Sequence, residues 1–411
     1  MLPTITPSNV RRIIIFCVAV LTLYLISVVS LKHTAGDFDV YYYSSQSYLD
    51  KMPVYIPHGG INEFKYSPLF ALLFSPLALM KRTPALYVWT VFNILYFYAI
   101  FFIFYKLKQL SFTSRKDLLI LVLLFALTGR YILSDFKLGQ VNVFLCFLML
   151  LVMYLEVKNR HFLASVVLAF SLMIKFFPLL FVFYFLLRRR FKLVVYTFLM
   201  VIVFLLLPAV YSGWSLNLKY LHDWLGLLRS TPAVLLYSPK NNSLLSYFSW
   251  IFVAGREVHS IFDYILIKTA LSAKVYYAWG ASCFVLFASF FYDTLFVKDK
   301  DPRGCYLDYS CLFVCGLLFN PLAYLNALTF LIIPYFFILR YLFYSRVNMK
   351  FILAVVFLIS LSFILMIINN RVFFKDPDQF YAFLELKPLM WSMILVYISL
   401  WLAKFSLKVR P

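Results

Sequence analysis

The chain has 411 residues, 64% of them hydrophobic and 13% charged, with a formal net charge of +21. Soluble domains run at about 45–50% apolar and about a quarter charged, so this composition excludes an ordinary soluble fold. The excess positive charge sits in short clusters beside apolar runs, the pattern that sets membrane topology, which argues against a nucleic-acid surface.

In chain order, the run Ile13 to Leu31 is too long for a signal-peptide core and is followed by no small-residue cleavage site, so it reads as a retained helix. A loop over 32–66 follows, and Tyr66 to Met80 then re-enters without crossing. Basic clusters mark one side: Arg11-Arg12; Lys106, Lys108, Arg115 and Lys116; Lys158 and Arg160; Arg188 to Arg190 with Lys192. Lys298, Lys300 and Arg303 continue the series, then Arg340, Arg346 and Lys350, and finally Lys404, Lys408 and Arg410. These are 21 of the 38 Lys and Arg residues, which assigns that side, with both termini, to the cytoplasm.

Segment 162–187 lies between two such clusters and has to go out and return within 26 residues. Pro178 supplies a break at Lys175-Phe176-Phe177-Pro178, since proline cannot continue a helix and disfavours helix in the residue before it. Phe319-Asn320-Pro321 makes a similar break, and Ser134 to Asn142 reads as a turn between two longer spans. Within 209–274, Leu244 to Ala254 is partly amphipathic and reads as interfacial. The expected architecture is an all-α polytopic membrane protein with about twelve transmembrane helices plus one re-entrant helix, several broken at the outer side. It reads as a single domain over 1–411, with outer loops 32–66 and 209–274 covering a cavity. Broken helices inside a bilayer are tolerated where they line such a cavity.

Candidate chemistry gathers at the outer tips. Asp37 and Asp39 follow the first helix in Gly36-Asp37-Phe38-Asp39-Val40-Tyr41. A desolvated carboxylate there would serve as a general base; alternatively it caps the next helix. Lys175, at a helix break in apolar sequence, would bind a phosphate or snorkel to the interface. Arg130, Asp135 and Lys137 ring another tip beside Gly139-Gln140-Val141-Asn142, as ligands or as turn residues. The five histidines form no paired motif and no metal site is expected. Cys17, Cys146 and Cys283 fall in apolar runs, and Cys305, Cys311 and Cys315 lack zinc-ligand spacing, so packing is expected of all six. There is no phosphate-cradling glycine loop, and no cofactor is expected.

The order of motifs resembles glycosyltransferase family 87 of the GT-C superfamily, which holds polyprenol-phosphate-mannose-dependent mannosyltransferases and related arabinofuranosyltransferases. Asp37 to Tyr41 is similar to the family's Asp-x-x-Val-Tyr, and Phe64-Lys65-Tyr66-Ser67-Pro68 to its Phe-x-Tyr-Pro-Pro. Gly139 to Asn142, Lys175 to Pro178 with the arginines behind it, and Asn241-Asn242-Ser243-Leu244 complete the series. Two departures stand out. Ser67 replaces a proline, and Asn326-Ala327 replaces a histidine pair.

The resemblance implies inverting transfer of mannose or another hexose from a polyprenyl-phosphate donor to a glycolipid or glycan hydroxyl, on the outer face of the cytoplasmic membrane. Asp37 would be the base and Lys175 would hold the departing phosphate. Asp39, Tyr41, Tyr66, Arg130, Gln140, Asn142, Asn241 and Asn326 are the remaining candidate substrate contacts. The alternatives are arabinofuranosyl transfer, a transporter or flippase of lipid-linked sugars, which would show internal repeats, and a polymerase or ligase with arginine-rich outer loops. Donor, acceptor and membrane lipids are the expected partners.

Overall fold

Apolar runs divided by proline, glycine and basic residues have one stable form in hydrocarbon, the helix, because it satisfies its own backbone. The computed structural model describes residues 19–27, 36–57, 63–229, 235–236, 238–252, 273–296 and 303–408. Among them every regular element is helical: α1 (residues 19–27), α2 (Gly36–Leu49), α3 (Pro68–Ala78), α4 (Arg82–Lys106), α5 (Arg115–Leu138) and α6 (Asn142–Val157). Next come α7 (His161–Ile174), α8 (Leu179–Leu187), α9 (Phe191–Leu206), α10 (Ala209–Ser212), α11 (Trp214–Arg229) and α12 (Leu244–Phe252). α13 (Ala273–Phe296), α14 (Arg303–Phe319), a 3-10 segment (Leu325–Leu331), α15 (Ile332–Tyr344), α16 (Met349–Ile368), a short 3-10 turn (Arg371–Phe373), α17 (Pro377–Glu385) and α18 (Pro388–Lys408) follow.

Seven helical stretches among the described residues are long and apolar enough to cross a membrane. The described residues thus do not confirm the expected count of about twelve. The physical reason is length: α3, α6, α7 and Cys305–Phe319 are apolar but have only 10–17 residues. At 1.5 Å per residue a 14-residue helix covers about 21 Å, short of the ~30 Å of hydrocarbon. Arg11-Arg12, most of Ile13 to Leu31, Lys298, Lys300, Arg410 and the end of the 244–254 piece lie outside the described residues.

The breaks at 175–178 and 320–324 fall where proline demands them. The limb after the second break differs from expectation, since Leu325–Tyr344 is a 20-residue stretch long enough to cross. The turn expected over Ser134 to Asn142 is tighter than its composition suggests. α5 runs on to Leu138 and α6 begins at Asn142, leaving three residues between them.

The described residues form two compact units. The first comprises the described residues up to 125, with 129–178 and 191–229, and is organised around short α3, which touches α2, α4, α7, α9 and α11. The far end of α2 is tied down by tyrosines: Tyr48 Oη donates to the Pro208 carbonyl at 2.8 Å and Tyr211 Oη to Leu49 at 2.9 Å. Tyr220 Oη donates to Met52 at 2.9 Å. These bonds fix the helix that carries Asp37 and Asp39.

The second unit comprises residues 126–128 and 179–190 and the described residues after 229. In it α18 packs along α14, α15 and α16, and α8 packs on α14. Asp308, on α14, is fully buried and takes Lys404 of α18 on one carboxylate oxygen. Its other oxygen accepts Arg188 Nη2 at 2.9 Å and Tyr184 Oη at 3.3 Å. One carboxylate thus joins the ends of three segments, and removing it strands a cation that is 2% exposed. Breaking a buried ion pair from one side costs about 3–5 kcal/mol. Asp308→Asn is therefore expected to lower thermal stability in detergent by that order, whereas Lys192→Ala, at an exposed helical position, leaves the melting temperature within about 1 °C of wild type, as surface changes do.

Candidate functional site

Helical periodicity decides which of the two early carboxylates enters the site. Asp37 and Tyr41 are four residues apart on α2 and share a face, whereas Asp39 points roughly opposite. Asp39 meets Arg82, at the start of α4, in a two-pronged ion pair with Nε to Oδ1 at 2.7 Å and Nη2 to Oδ2 at 2.8 Å. Its negative charge is spent on joining α2 to α4. Arg82 had no visible signal in the sequence, being one basic residue among many.

Tyr41 is fully buried, edge-on to Tyr66, Phe70 and Phe74 at 5.0–5.7 Å between ring centroids. Its hydroxyl lies 2.9 Å from Tyr66 Oη and 3.3 Å from Gln140 Oε1, to which it donates. With its oxygen so engaged, Gln140 presents its amide nitrogen to Asp37, with which its side chain is hydrogen-bonded. Burial pushes the Asp37 carboxyl above the usual carboxylate range; the Gln140 hydrogen bond and the charge of Lys175 oppose this without cancelling it.

Gln140 is aimed by the end of α5. Gly139 has φ +64°, and the Gly139 and Gln140 amides donate to the Phe136 and Asp135 carbonyls, both at 3.1 Å. This is a Schellman closure, which favours glycine at the left-handed position. A second constraint coincides with it: a Cβ on residue 139 would stand 2.7 Å from Phe38 Cβ. The Gly139 carbonyl also accepts Trp89 Nε1 at 2.8 Å, so the turn is gripped from two sides.

Asn142 opens α6, fully buried, with Nδ2 donating to Asp135 Oδ1 at 2.6 Å and Oδ1 accepting Lys175 Nζ. Asp135 Oδ2 takes the Val143 amide at 3.2 Å. Lys175 has extended backbone at the end of α7 and lies within electrostatic reach of both Asp135 and Asp37. Ser67, at the position where the motif resemblance expects proline, donates its amide to the Met173 carbonyl at 3.2 Å. Proline could not make that bond, which ties α3 to the last turn of α7 just before Lys175.

The structure thus brings Asp37, Tyr41, Tyr66, Gln140, Asn142 and Lys175 together, with Asp135 at their base. Arg130 is on an exposed face of α5. Asn241 and Asn326 belong to the second unit. All four polar positions of Asn241 are used there. Its nitrogen donates to the Pro321 and Leu235 carbonyls at 2.9 and 3.2 Å, and its oxygen accepts the Ala323 and Ser243 amides at 2.9 and 3.2 Å. Lys387, 1% exposed, donates to the Ser238 and Pro239 carbonyls at 3.0 and 3.4 Å, holding the same loop. Asn326 is half-buried in the 3-10 segment.

The profile of glycosyltransferase family 87 matches residues 64–321, well over half of the chain. The chain belongs to glycosyltransferase family 87. It is therefore an enzyme, a glycosyltransferase, embedded in a membrane through its apolar helices. No curated protein matches it. The matched span holds Tyr66, Asp135, Gln140, Asn142 and Lys175 but starts after Asp37, so geometry is what joins Asp37 to the family segment.

Gly139→Ala tests the frame of this glycosyltransferase. The left-handed backbone alone costs on the order of 1 kcal/mol for alanine, and the approach to Phe38 forces α2 away from the turn. A loss of sugar transfer much larger than the fall in melting temperature is expected, because Asp37 rides on the displaced helix. Equal and small losses would show that α2 need not abut the turn.

Proposed function

We propose that the protein transfers a hexose, mannose being the foremost case, from a polyprenyl-phosphate donor to a hydroxyl of a glycolipid or glycan, inverting the anomeric centre. The observation that carries this reading is the pairing of a partly desolvated carboxylate, Asp37, with an ammonium, Lys175, through a single loop, 139–142. A base and a phosphate contact are the two groups such a reaction needs. Asp37 takes the proton of the acceptor hydroxyl as its oxygen forms a bond to the anomeric carbon. The bond from that carbon to the phosphate oxygen breaks on the opposite face. The leaving polyprenyl phosphate gains charge, which Lys175 offsets by a charge-assisted hydrogen bond. Tyr41, Tyr66 and Gln140 hold the base in place.

Positioned general bases contribute about 10²–10⁴-fold. Asp37→Asn keeps size and helix-capping ability but accepts no proton, so it is expected to melt like wild type and to lose 10²–10⁴-fold in transfer. Asp39→Asn weakens only the partly exposed Arg82 pair, worth about 1 kcal/mol of stability, and retains transfer. Activity needs ionised Asp37. Since burial raises its pKa, the acidic limb of the rate profile is expected at higher pH than for an ordinary carboxylate, with rate falling as pH drops through it. Wild-type rate with Asp37→Asn would remove the assignment.

The reading also places the site on the outer face of the cytoplasmic membrane, with both termini inside, on the strength of the basic clusters. In a background without the six native cysteines, Lys240→Cys should react with an impermeant thiol reagent added outside intact cells. Asp299→Cys should react only after permeabilisation. The reverse pattern would put the site on the cytoplasmic side and exclude a donor flipped outward.

A further inference from the structure

Asp135 is 1% exposed, sits in the last turn of α5, and is absorbed by neither proposed catalytic role. Its two oxygens are not used alike. Oδ2 accepts the Val143 amide at 3.2 Å, in the first turn of α6, which is ordinary helix-end satisfaction. Oδ1 accepts Asn142 Nδ2 at 2.6 Å, and Asn142 turns its own Oδ1 to Lys175 Nζ. A side-chain amide is two-sided, with donors at one end and an acceptor at the other. A carboxylate offers acceptors only, so it fixes which end of Asn142 faces it and leaves the acceptor end for the lysine.

We propose that Asp135 is a positioning residue, acting through Asn142 to hold the Lys175 ammonium away from Asp37 and in place for the phosphate of the lipid donor. The inference rests on Lys175 being the phosphate contact. Lys175 is within electrostatic reach of two carboxylates, Asp135 and Asp37. If it paired directly with Asp37, the base and the phosphate contact would be spent on each other. The bridge through Asn142 gives the ammonium a neutral acceptor with a countercharge behind it, which keeps Asp37 available. A lysine is a flexible point charge on four methylenes, so its position has to be imposed from outside. The main competing role for Asp135 is a remote cap on α6, and asparagine at 135 preserves most of a cap.

The test is a double-mutant cycle on the full-length purified enzyme, because coupling energies isolate the pairwise contribution. The probe is undecaprenyl phosphate in detergent micelles, the chemical class of the departing group, with neutral undecaprenol as the control for the lipid chain. Lys175→Met is expected to weaken undecaprenyl phosphate binding at least tenfold and leave undecaprenol unchanged. Asp135→Asn is expected to weaken undecaprenyl phosphate at least fivefold when Lys175 is present and less than twofold in the Lys175→Met background. No change with Lys175→Met would remove the phosphate assignment itself. A Lys175→Met effect with Asp135→Asn silent, or equally large in both backgrounds, would overturn the relay alone and leave Asp135 as a cap. If Asp135→Asn does not melt as a folded protein, Asn142→Ala replaces it in the same cycle under the same criteria.

Discussion

The site depends on a glycine that cannot be anything else. At residue 139 two independent demands coincide: a left-handed backbone that closes α5, and the absence of a side chain where Phe38 presses in. The first would be met by glycine or, at some cost, asparagine; the second admits neither asparagine nor alanine. Because both are met, α5 can stop and α6 can start within three residues while α2 lies directly on the turn. Gln140 then faces Asp37, and Asn142 faces Lys175, as consequences of where one turn ends. The Trp89 bond to the Gly139 carbonyl and the tyrosine bonds at the far end of α2 keep that approach from opening.

Charge is distributed with the same economy. The carboxylates of Asp39 and Asp308 are each matched to arginine or lysine at hydrogen-bond distance, and each ties helices together. Asp37 is different in kind. It is held by a neutral amide and feels a lysine whose nearest hydrogen-bond acceptor is another neutral amide. Buried carboxylates with full ionic partners are poor bases, because the partner stabilises the ionised form. A carboxylate held by an amide and partly desolvated keeps its basicity while remaining oriented. The neutral links, Gln140 and Asn142, are what keep the charges of Asp37 and Lys175 from closing into a structural salt bridge.

Much of this was legible in the sequence, and the rest was hidden for identifiable reasons. The breaks at Pro178 and Pro321 were readable because proline acts locally. The helical class followed from composition, and the motif order named the family that the profile confirms. The number of crossings is not settled by the charge clusters, because they mark ends of segments without saying whether the segment between is long enough to span. The extent of α5 was misread because Ser134 and Asp135 look like turn residues, while the helix stop is set at Gly139. Arg82 and Asp308 were missed because their meaning is a contact over 43 residues in one case and 96 or 120 in the other. Spacing carries no trace of such pairs. Arg130 reads like Lys175 in sequence, yet helical phase alone puts it on an exposed face.

The family match and the site do not have the same boundaries, and that difference is informative. The matched span begins at residue 64, yet the groups it contains, Gln140 and Lys175, act electrostatically on a carboxylate at residue 37. A loop that served only to close α5 would not need a buried glutamine turned toward a separate helix, nor a glycine whose missing side chain is filled by that helix. Segment 139–142 is therefore shaped for α2 as much as for its own helices. The reverse dependence holds as well, since Tyr41 has its hydroxyl engaged by Gln140 and Tyr66, both inside the matched span. Two stretches that depend on each other at this many atoms form one packed cluster, so α2 is joined by contact to the segment that the family profile covers even though the profile starts after it.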